Sequence, residues 1–160
     1  MAIFATTQKI YDAFYDDYNT GKAFMHSHTY SGNPLACSAA NAVLDLMQDG
    51  EILKTAQENA VYFNKIIKDK FLSHKNVGEV RSIGLINAIE LVEDKLSKKG
   101  FDSELRIGYQ IYKKALKRGV ILRPLGNVIY FNPPLIIKRE EMDFAVDVAY
   151  KSLIDILGEG

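Results

Sequence analysis

The sequence predicts an α/β fold in which helices surround a small sheet, and three features of the chain predict it. Apolar residues recur at three- and four-residue spacing after Asn33-Pro34, which is typical of an amphipathic helix. Short Val-, Ile- and Leu-rich runs flank a turn at residues 123–127, as strands of a hairpin do. A second long helical pattern follows Glu140. Helices mixed with short strands indicate the α/β or α+β class.

The first part of the chain is predicted to be irregular as far as one clear helix start. Residues 1–5 are expected to form a short strand, residues 8–18 a short helix or turn, and residues 23–30 an extended segment. Asn33 suits the N-cap of the next helix, and Pro34 suits its first turn, where no amide donor is needed. Asp49-Gly50 predicts the end of this helix.

The rest of the chain is predicted to alternate between helices and strands. Its predicted elements, in order, are a helix at 52–71, a strand at 85–91, a helix from Asp102 to Gly119, strands at 120–122 and 128–131, an extended stretch at 135–137, and a helix at 140–157. On the helix from Asp102, the side chains predicted to face inward are Leu105, Tyr109, Tyr112, Ala115 and Leu116.

Composition excludes several classes of function. The chain has 160 residues with 20 basic and 20 acidic side chains, so it carries no net charge that would attract nucleic acid or an anionic membrane. Cys37 is the single cysteine, which excludes a disulfide framework within one chain. No apolar run reaches the ~20 residues that span a bilayer, and no signal peptide is visible. These features favour a cytoplasmic protein.

No metal site is expected. His26 and His28 are two residues apart and share a face of an extended segment. A zinc site needs three or four ligands, and only His74 and Cys37 remain as His or Cys candidates.

Three stretches of the chain resemble segments of class III aminotransferases, which are fold-type I enzymes that use pyridoxal phosphate (PLP). They run from Phe24 to Cys37, from Arg81 to Leu91 and from Leu122 to Pro134. The third, which contains Arg123-Pro124 and Pro133-Pro134, is similar to the signature of the family branch that acts in biotin synthesis.

The resemblance implies the architecture and the partners. Residues 1–48 would be the end of a large PLP-binding domain with a bridging helix, and residues 49–160 a small carboxyl-terminal domain. The complete enzyme would be a homo-oligomer. It would transfer an amino group from S-adenosylmethionine to 8-amino-7-oxononanoate, with PLP as the cofactor.

The resemblance also implies that the catalytic lysine is missing from these residues. In the family, the lysine that forms the Schiff base lies in a glycine-rich segment that would precede residue 1. No lysine of this sequence has such a context; Lys9 and Lys22 flank a predicted helix or loop. The chain alone is therefore expected to hold no catalytic residue and to be an inactive carboxyl-terminal fragment.

Thr29, with its neighbours His28 and Ser27, is the candidate cofactor-binding segment. A hydroxyl on an extended segment before a helix start can donate to a phosphate oxygen, helped by nearby amides. The resemblance implies that Thr29 reaches the PLP phosphate of a partner subunit. Ser27 departs from the usual glycine of the family, and its side chain would either crowd the phosphate or add a donor. The alternative for Thr29 is an ordinary turn hydrogen bond.

Arg123 and Tyr130 are the candidate substrate-binding residues. A guanidinium group matches a carboxylate with two parallel hydrogen bonds. The resemblance implies that Arg123 binds the carboxylate of the amino-oxo acid. The alternatives are a surface arginine at a strand end and, for Tyr130, plain core packing.

Two other functions stay open at this stage. One is a class III aminotransferase that acts on another ω-amino acid, which the segment 123–134 disfavours. The other is a non-catalytic domain that dimerises or binds a partner. Such a domain has no need of Thr29, Asn33-Pro34 and Arg123-Pro124 in this order.

Overall fold

A computed structural model describes residues 3–160, which belong to two compact units. The first unit ends at Asp49, and the second runs from Gly50 to Gly160. No helix among the described residues is long and apolar enough to cross a bilayer.

The first unit consists of two helices and long irregular segments. Helix α1 spans Gln8–Phe14, a 3-10 turn follows at Tyr18–Thr20, and helix α2 spans Pro34–Met47. The expected strand at 1–5 is not present at residues 3–5, and residues 1 and 2 lie outside the described part. None of the described residues of this unit is fully buried.

The predicted start of helix α2 is confirmed. The Asn33 side chain accepts hydrogen bonds from the backbone amides of Leu35 and Ala36, at 3.0 and 3.1 Å, and Pro34 occupies the first turn. This N-cap satisfies two of the amides that a helix start leaves without a partner.

The second unit combines three helices with a four-stranded antiparallel sheet. Its elements are α3 (Glu51–Phe71), β1 (Val77–Ile83), β2 (Ile86–Leu91), a 3-10 turn (Ser103–Leu105), α4 (Ile107–Lys117), β3 (Arg123–Leu125), β4 (Val128–Phe131) and α5 (Arg139–Leu157). The strand order is β1-β2-β4-β3, so β1 and β3 are the edges.

The sheet has one buried face and one open face. Ile89 and Leu91 of β2 and Ile129 and Phe131 of β4 are buried in the core with residues of the three helices. Side chains alternate along a strand, so the residues between them point to the other face. That face is covered by no other element of this unit and is called the open face below; Arg123 lies on it.

The structure confirms the strands predicted at 85–91 and 128–131, as β2 and β4, and corrects the rest of the strand prediction. Residues 77–83 form a separate strand, β1, that pairs with β2 through a tight turn at Gly84. A register shift between Val77 and Glu79 interrupts the alternation of side chains along β1. The sequence pattern therefore does not predict this strand. The strand predicted at 120–122 lies three residues later, because the hairpin turn is only Gly126-Asn127. Residues 135–137 form a turn, closed by a bond from the Ile137 amide to Pro134 O.

The helix predicted from Asp102 is also corrected. The Asp102 side chain caps the 3-10 turn, by accepting from the Glu104 amide at 2.9 Å. Arg106 then adopts a left-handed conformation (φ 48°, ψ 44°), so α4 begins only at Ile107. Its buried face is Ile107, Ile111 and Ala115, whereas Leu105, Tyr109 and Leu116 are exposed. Of the predicted inward residues, Ala115 is buried and Tyr112 half-buried.

Candidate functional site

Arg123 and Tyr130 lie side by side on the open face of the sheet. They are directly paired in the register of β3 and β4, and directly paired residues of an antiparallel ladder share one face. The Arg123 guanidinium carbon lies 5.9 Å from the centre of the Tyr130 ring, within the range of a cation–π contact. The structure thus brings these two predicted site residues together.

The row that contains this pair crosses the whole sheet. Tyr130 pairs with Ala88 of β2, and Ala88 pairs with Arg81 of β1. Arg81 forms ion pairs with Glu79 and Glu90, and these carboxylates raise the pKa of Arg81. The cation at this end of the row is therefore neutralised.

Arg123, at the other end of the row, has no carboxylate partner among the described residues. Its neighbours on the open face are apolar: Leu125 comes two residues later, and Val128 pairs with Leu125 across the hairpin. Leu125 is 73% exposed, so the apolar surface beside the cation is accessible in this unit. An unpaired guanidinium next to accessible apolar surface suits a ligand with a carboxylate and a hydrocarbon chain.

Leu125 and Val128 were not singled out by the sequence. Two signals could have identified them: a strand alternation with Arg123 at its start, and the short turn at Gly126-Asn127. The hairpin register places Leu125 on the Arg123 side of the sheet.

Thr29 lies in a hydrogen-bonded turn of the first unit, just before helix α2. The Ser31 amide donates to His28 O at 2.9 Å, and the His28 amide donates to the Ser31 hydroxyl at 3.2 Å. In the described part of the chain, no hydrogen bond involves the Thr29 hydroxyl, and the residue is exposed. The turn bond expected as the alternative role of Thr29 is made by Ser31 instead.

His28 and Ser27 are also exposed. The His28 ring packs edge-on against His26, with centroids 5.3 Å apart, and lines an open groove with Tyr30, Ser31 and Asn33. Among the described residues, no group of three or more His, Cys, Asp or Glu side chains could hold a metal ion. The cofactor-binding and substrate-binding candidates belong to different units, Thr29 to the first and Arg123 to the second.

Comparison with known proteins places these two segments in one family. The family model described as "Aminotransferase class-III" matches residues 1–153. The chain belongs to the class III aminotransferase family. The resemblance drawn from the three sequence stretches is therefore confirmed.

The similar proteins include several adenosylmethionine-8-amino-7-oxononanoate aminotransferases. The chain is 42% identical over 158 residues to the adenosylmethionine-8-amino-7-oxononanoate aminotransferase of Geobacter sulfurreducens, with 99% of this chain and 35% of that protein covered. It is 35% identical over 120 residues to the diaminobutyrate–2-oxoglutarate transaminase of Halomonas elongata, with 74% and 26% covered. The chain spans about a third of the length of the curated relatives it matches.

Solved class III structures have the same fold over this segment. The adenosylmethionine-8-amino-7-oxononanoate aminotransferase of Methanocaldococcus jannaschii matches with a TM-score of 0.85 and 34% identity, covering 95% of this chain and 34% of that chain. An aminotransferase of Vibrio fluvialis in its PMP-bound form matches with a TM-score of 0.78 and 31% identity, covering 88% and 31%. These matches confirm the predicted fold class.

Proposed function

We propose that this class III chain is the carboxyl-terminal part of a PLP-dependent aminotransferase of biotin synthesis. The complete enzyme would convert 8-amino-7-oxononanoate to 7,8-diaminononanoate, with S-adenosylmethionine as the amino donor. Two facts support this: relatives that carry the corresponding name cover nearly the whole chain, and the Arg123 guanidinium is unpaired on the open face. The names of these relatives carry the choice of substrate, and the unpaired guanidinium supports an acceptor that bears a carboxylate.

The proposed division of the chain is residues 1–48 as the end of the large domain and residues 49–160 as the small domain. The two compact units support it, since they divide near this boundary. The complete enzyme would be a homodimer. The first unit supports an oligomer in one respect: it exposes aromatic and apolar residues such as Phe4, Phe24 and Tyr30.

The turn around Thr29 fits a phosphate group. The Thr29 hydroxyl is exposed and has no partner among the described residues, so it can donate to a phosphate oxygen. His28 and Ser27 precede it on the same exposed segment and can contribute a ring nitrogen and a hydroxyl. When bound, PLP supplies the electron sink that transamination requires. This segment would hold the phosphate of PLP. In the complete dimer, that PLP would belong to the partner subunit.

Arg123 would bind and orient the carboxylate of the amino-oxo acid. The guanidinium donates two parallel hydrogen bonds to the two carboxylate oxygens, which fixes the direction of the substrate chain. Tyr130 restricts the guanidinium from one side through its ring. Leu125 and Val128 exclude water from one side of the hydrocarbon chain.

The test uses a chimaera in which this sequence replaces the matching third of the Geobacter sulfurreducens relative. Arg123→Ala should lower kcat/KM of the acceptor half-reaction about ten- to a hundredfold, because a charge-assisted hydrogen-bonded contact contributes about 1.5–3 kcal/mol. The half-reaction with the amino donor should change little. Arg123→Lys should recover only part of the loss, since an ammonium group lacks the two parallel N–H donors of the planar guanidinium group. Single-turnover measurement of each half-reaction checks this.

Arg139→Ala is the matched control. Arg139 also stacks on a tyrosine, Tyr62, with the guanidinium carbon 4.9 Å from the ring centre, but it lies at the start of α5. Its replacement should leave both half-reactions within about twofold, as expected for surface changes. Equal losses in both half-reactions for Arg123→Ala would refute the carboxylate role.

We further propose that the 160-residue chain alone has no transaminase activity, because none of its lysines lies in a glycine-rich segment of the family type. Incubation with PLP, borohydride reduction and peptide mapping should reveal no lysine with stoichiometric label. One fully labelled lysine, for example Lys9 or Lys22, would contradict this expectation.

A second candidate is a class III aminotransferase with another acceptor. The Halomonas elongata relative, whose name specifies diaminobutyrate and 2-oxoglutarate, supports it. The chimaera distinguishes the two. Faster turnover with 2-oxoglutarate than with 8-amino-7-oxononanoate would favour the second candidate.

A further inference from the structure

Helix α4 lies so close to the turn of the Arg123 hairpin that the residue at the point of contact, Gly108, has no room for a side chain. Gly108 is buried in the first turn of α4. A Cβ atom at Gly108 would lie 2.4 Å from the backbone carbonyl oxygen of Gly126, and 3.5 Å from both the Pro124 Cβ and an Ile129 methyl group. Pro124 and Ile129 form the register pair next to Arg123 and Tyr130. The absence of a side chain at Gly108 thus allows the hairpin to lie directly on the helix.

The turn itself is fixed from two other sides. The Asn127 side-chain amide donates to Phe101 O at 2.7 Å, and the Leu91 amide donates to Asn127 O at 2.8 Å. Gly126 has a φ of +59°, so it supplies the left-handed residue that this two-residue turn requires. The hairpin therefore rests on α4 through Gly108 and is tied at its tip through Asn127.

We propose that Gly108 and Asn127 are positioning residues for Arg123. They set the distance and the orientation of the hairpin relative to helix α4, and thereby the place where the Arg123 guanidinium meets the substrate carboxylate. This inference rests on the proposed carboxylate role of Arg123. Neither residue would touch the substrate. Gly108 lies on the buried side of the sheet, and the Asn127 amide points to the backbone of Phe101.

The size of the displacement follows from the contact at Gly108. Ordinary van der Waals contact of a Cβ begins at 3.4 Å, so Gly108→Ala requires a shift of about 1 Å relative to the observed 2.4 Å. The opposing atom is a backbone oxygen, which cannot rotate away as the end of a side chain can. Helix α4 and the hairpin must therefore move apart, and any shift of the hairpin carries Arg123 with it. A misplacement of about 1 Å can cost about a hundredfold in rate.

The test compares Gly108→Ala with Gly78→Ala in the chimaera. Gly78 is the matched control, because it lies in β1 at the opposite edge of the sheet, and the atoms nearest to its added methyl group belong to the Val92 side chain. Gly108→Ala should lower kcat/KM of the acceptor half-reaction about ten- to a hundredfold and leave the donor half-reaction within about threefold. Gly78→Ala should change neither half-reaction by more than about threefold, whatever it does to the melting temperature.

Two further measurements separate positioning from general damage. With the methyl ester of 8-amino-7-oxononanoate, which lacks the carboxylate charge, the penalty of Gly108→Ala should disappear. The double variant Gly108→Ala/Arg123→Ala should be no slower than Arg123→Ala alone, because residues that act through one contact are not additive. Asn127→Ala, which removes the tie to Phe101, should give the same pattern with a smaller loss. It keeps the inference testable if Gly108→Ala fails to fold.

The outcomes distinguish this inference from the proposed function. If Arg123→Ala leaves the acceptor half-reaction unchanged, the proposed function fails and the inference fails with it. If Arg123→Ala is slow but Gly108→Ala and Asn127→Ala behave like Gly78→Ala, only the positioning role is overturned. Additive losses in the double variant would also overturn it.

Discussion

Arginines of the second unit contact tyrosine rings as often as carboxylates. Three such pairs, with the guanidinium carbon between 4.2 and 5.9 Å from the ring centre, are Arg106 with Tyr109, Arg123 with Tyr130 and Arg139 with Tyr62. A ring restricts a guanidinium group without neutralising it, so its N–H groups stay available to a ligand. Of these three arginines, Arg123 is the one on the open face of the sheet.

One ion pair of the second unit predicts a pH dependence of stability. Asp147 of α5 accepts a hydrogen bond from Lys70 of α3, and this bond lowers the pKa of Asp147. A lowered folded-state pKa stabilises the fold at pH values above the unfolded pKa of about 3.9, and the benefit is lost as the pH falls through the folded-state pKa. Because Asp147 is 51% exposed, we expect Asp147→Asn to cost only about 0.5 kcal/mol at pH 7.

Urea unfolding of the wild-type chain and Asp147→Asn at pH 7 and below pH 4 checks this expectation. The difference in the free energy of unfolding should shrink toward zero in acid. Lys70→Gln should remove the same pH-dependent increment. A difference that grows as the pH falls would contradict the sign of the shift.

Local structure was predictable where a local rule determines it: Asn33 could be placed because N-capping depends only on the residues that follow it. Arg123 and Tyr130 are candidates through the family resemblance, and their pairing across the hairpin emerges only from the strand register. The importance of Gly108 could not be predicted, since it depends on a helix and a turn that are 18 residues apart in sequence. The roles of Thr29 and Arg123 remain predictions until they are tested.

At the scale of elements, the long periodic helices and the strands β2 and β4 agree with their predictions, whereas β1 and β3 do not. Helix α3 was expected at 52–71 and spans Glu51–Phe71; α5 was expected at 140–157 and spans Arg139–Leu157. Their apolar faces repeat over several turns, so the pattern outweighs local noise. Strand β1 was missed because its register shift disturbs the alternation, and β3 was misplaced because its three residues carry too little pattern.

The burial of helix α3 predicts which of its side chains stabilise the second unit. Phe63 is fully buried and meets Phe131 of β4 edge-on, with ring centroids 5.4 Å apart. Phe63→Ala should lower the free energy of unfolding by about 3–5 kcal/mol, because it removes apolar contacts and leaves a cavity. Val61→Ala, on the same helix at 74% exposure, should change it by about 0.5 kcal/mol or less. Thermal unfolding followed by circular dichroism measures both; similar losses would contradict the packing described for α3.

At the scale of the whole molecule, the two units differ in what holds them together. The second unit has a continuous core that joins its three helices to the sheet. The first unit has no fully buried residue among those described, although its helix α2 carries an apolar stripe. An amphipathic helix gains most of its stability from packing its apolar face. We therefore expect the first unit to depend on a surface outside itself; the chain as a whole spans about a third of its relatives' length.

The exposed apolar residues of the first unit predict self-association of the 160-residue chain. Phe4 and Met25 are 84% and 90% exposed, and Phe24 and Tyr30 lie near Met25 in the sequence. Clustered apolar surface of this kind drives contact between copies. Light scattering at rising concentration should show dimers or larger species.

The double change Phe4→Ser/Met25→Ser should shift the chain toward the monomer. Leu96→Ser, at a 96% exposed leucine in a loop of the second unit, should not, because a single apolar side chain forms no patch. A monomeric wild-type chain at high concentration, or an equal effect of Leu96→Ser, would show that this surface does not govern association.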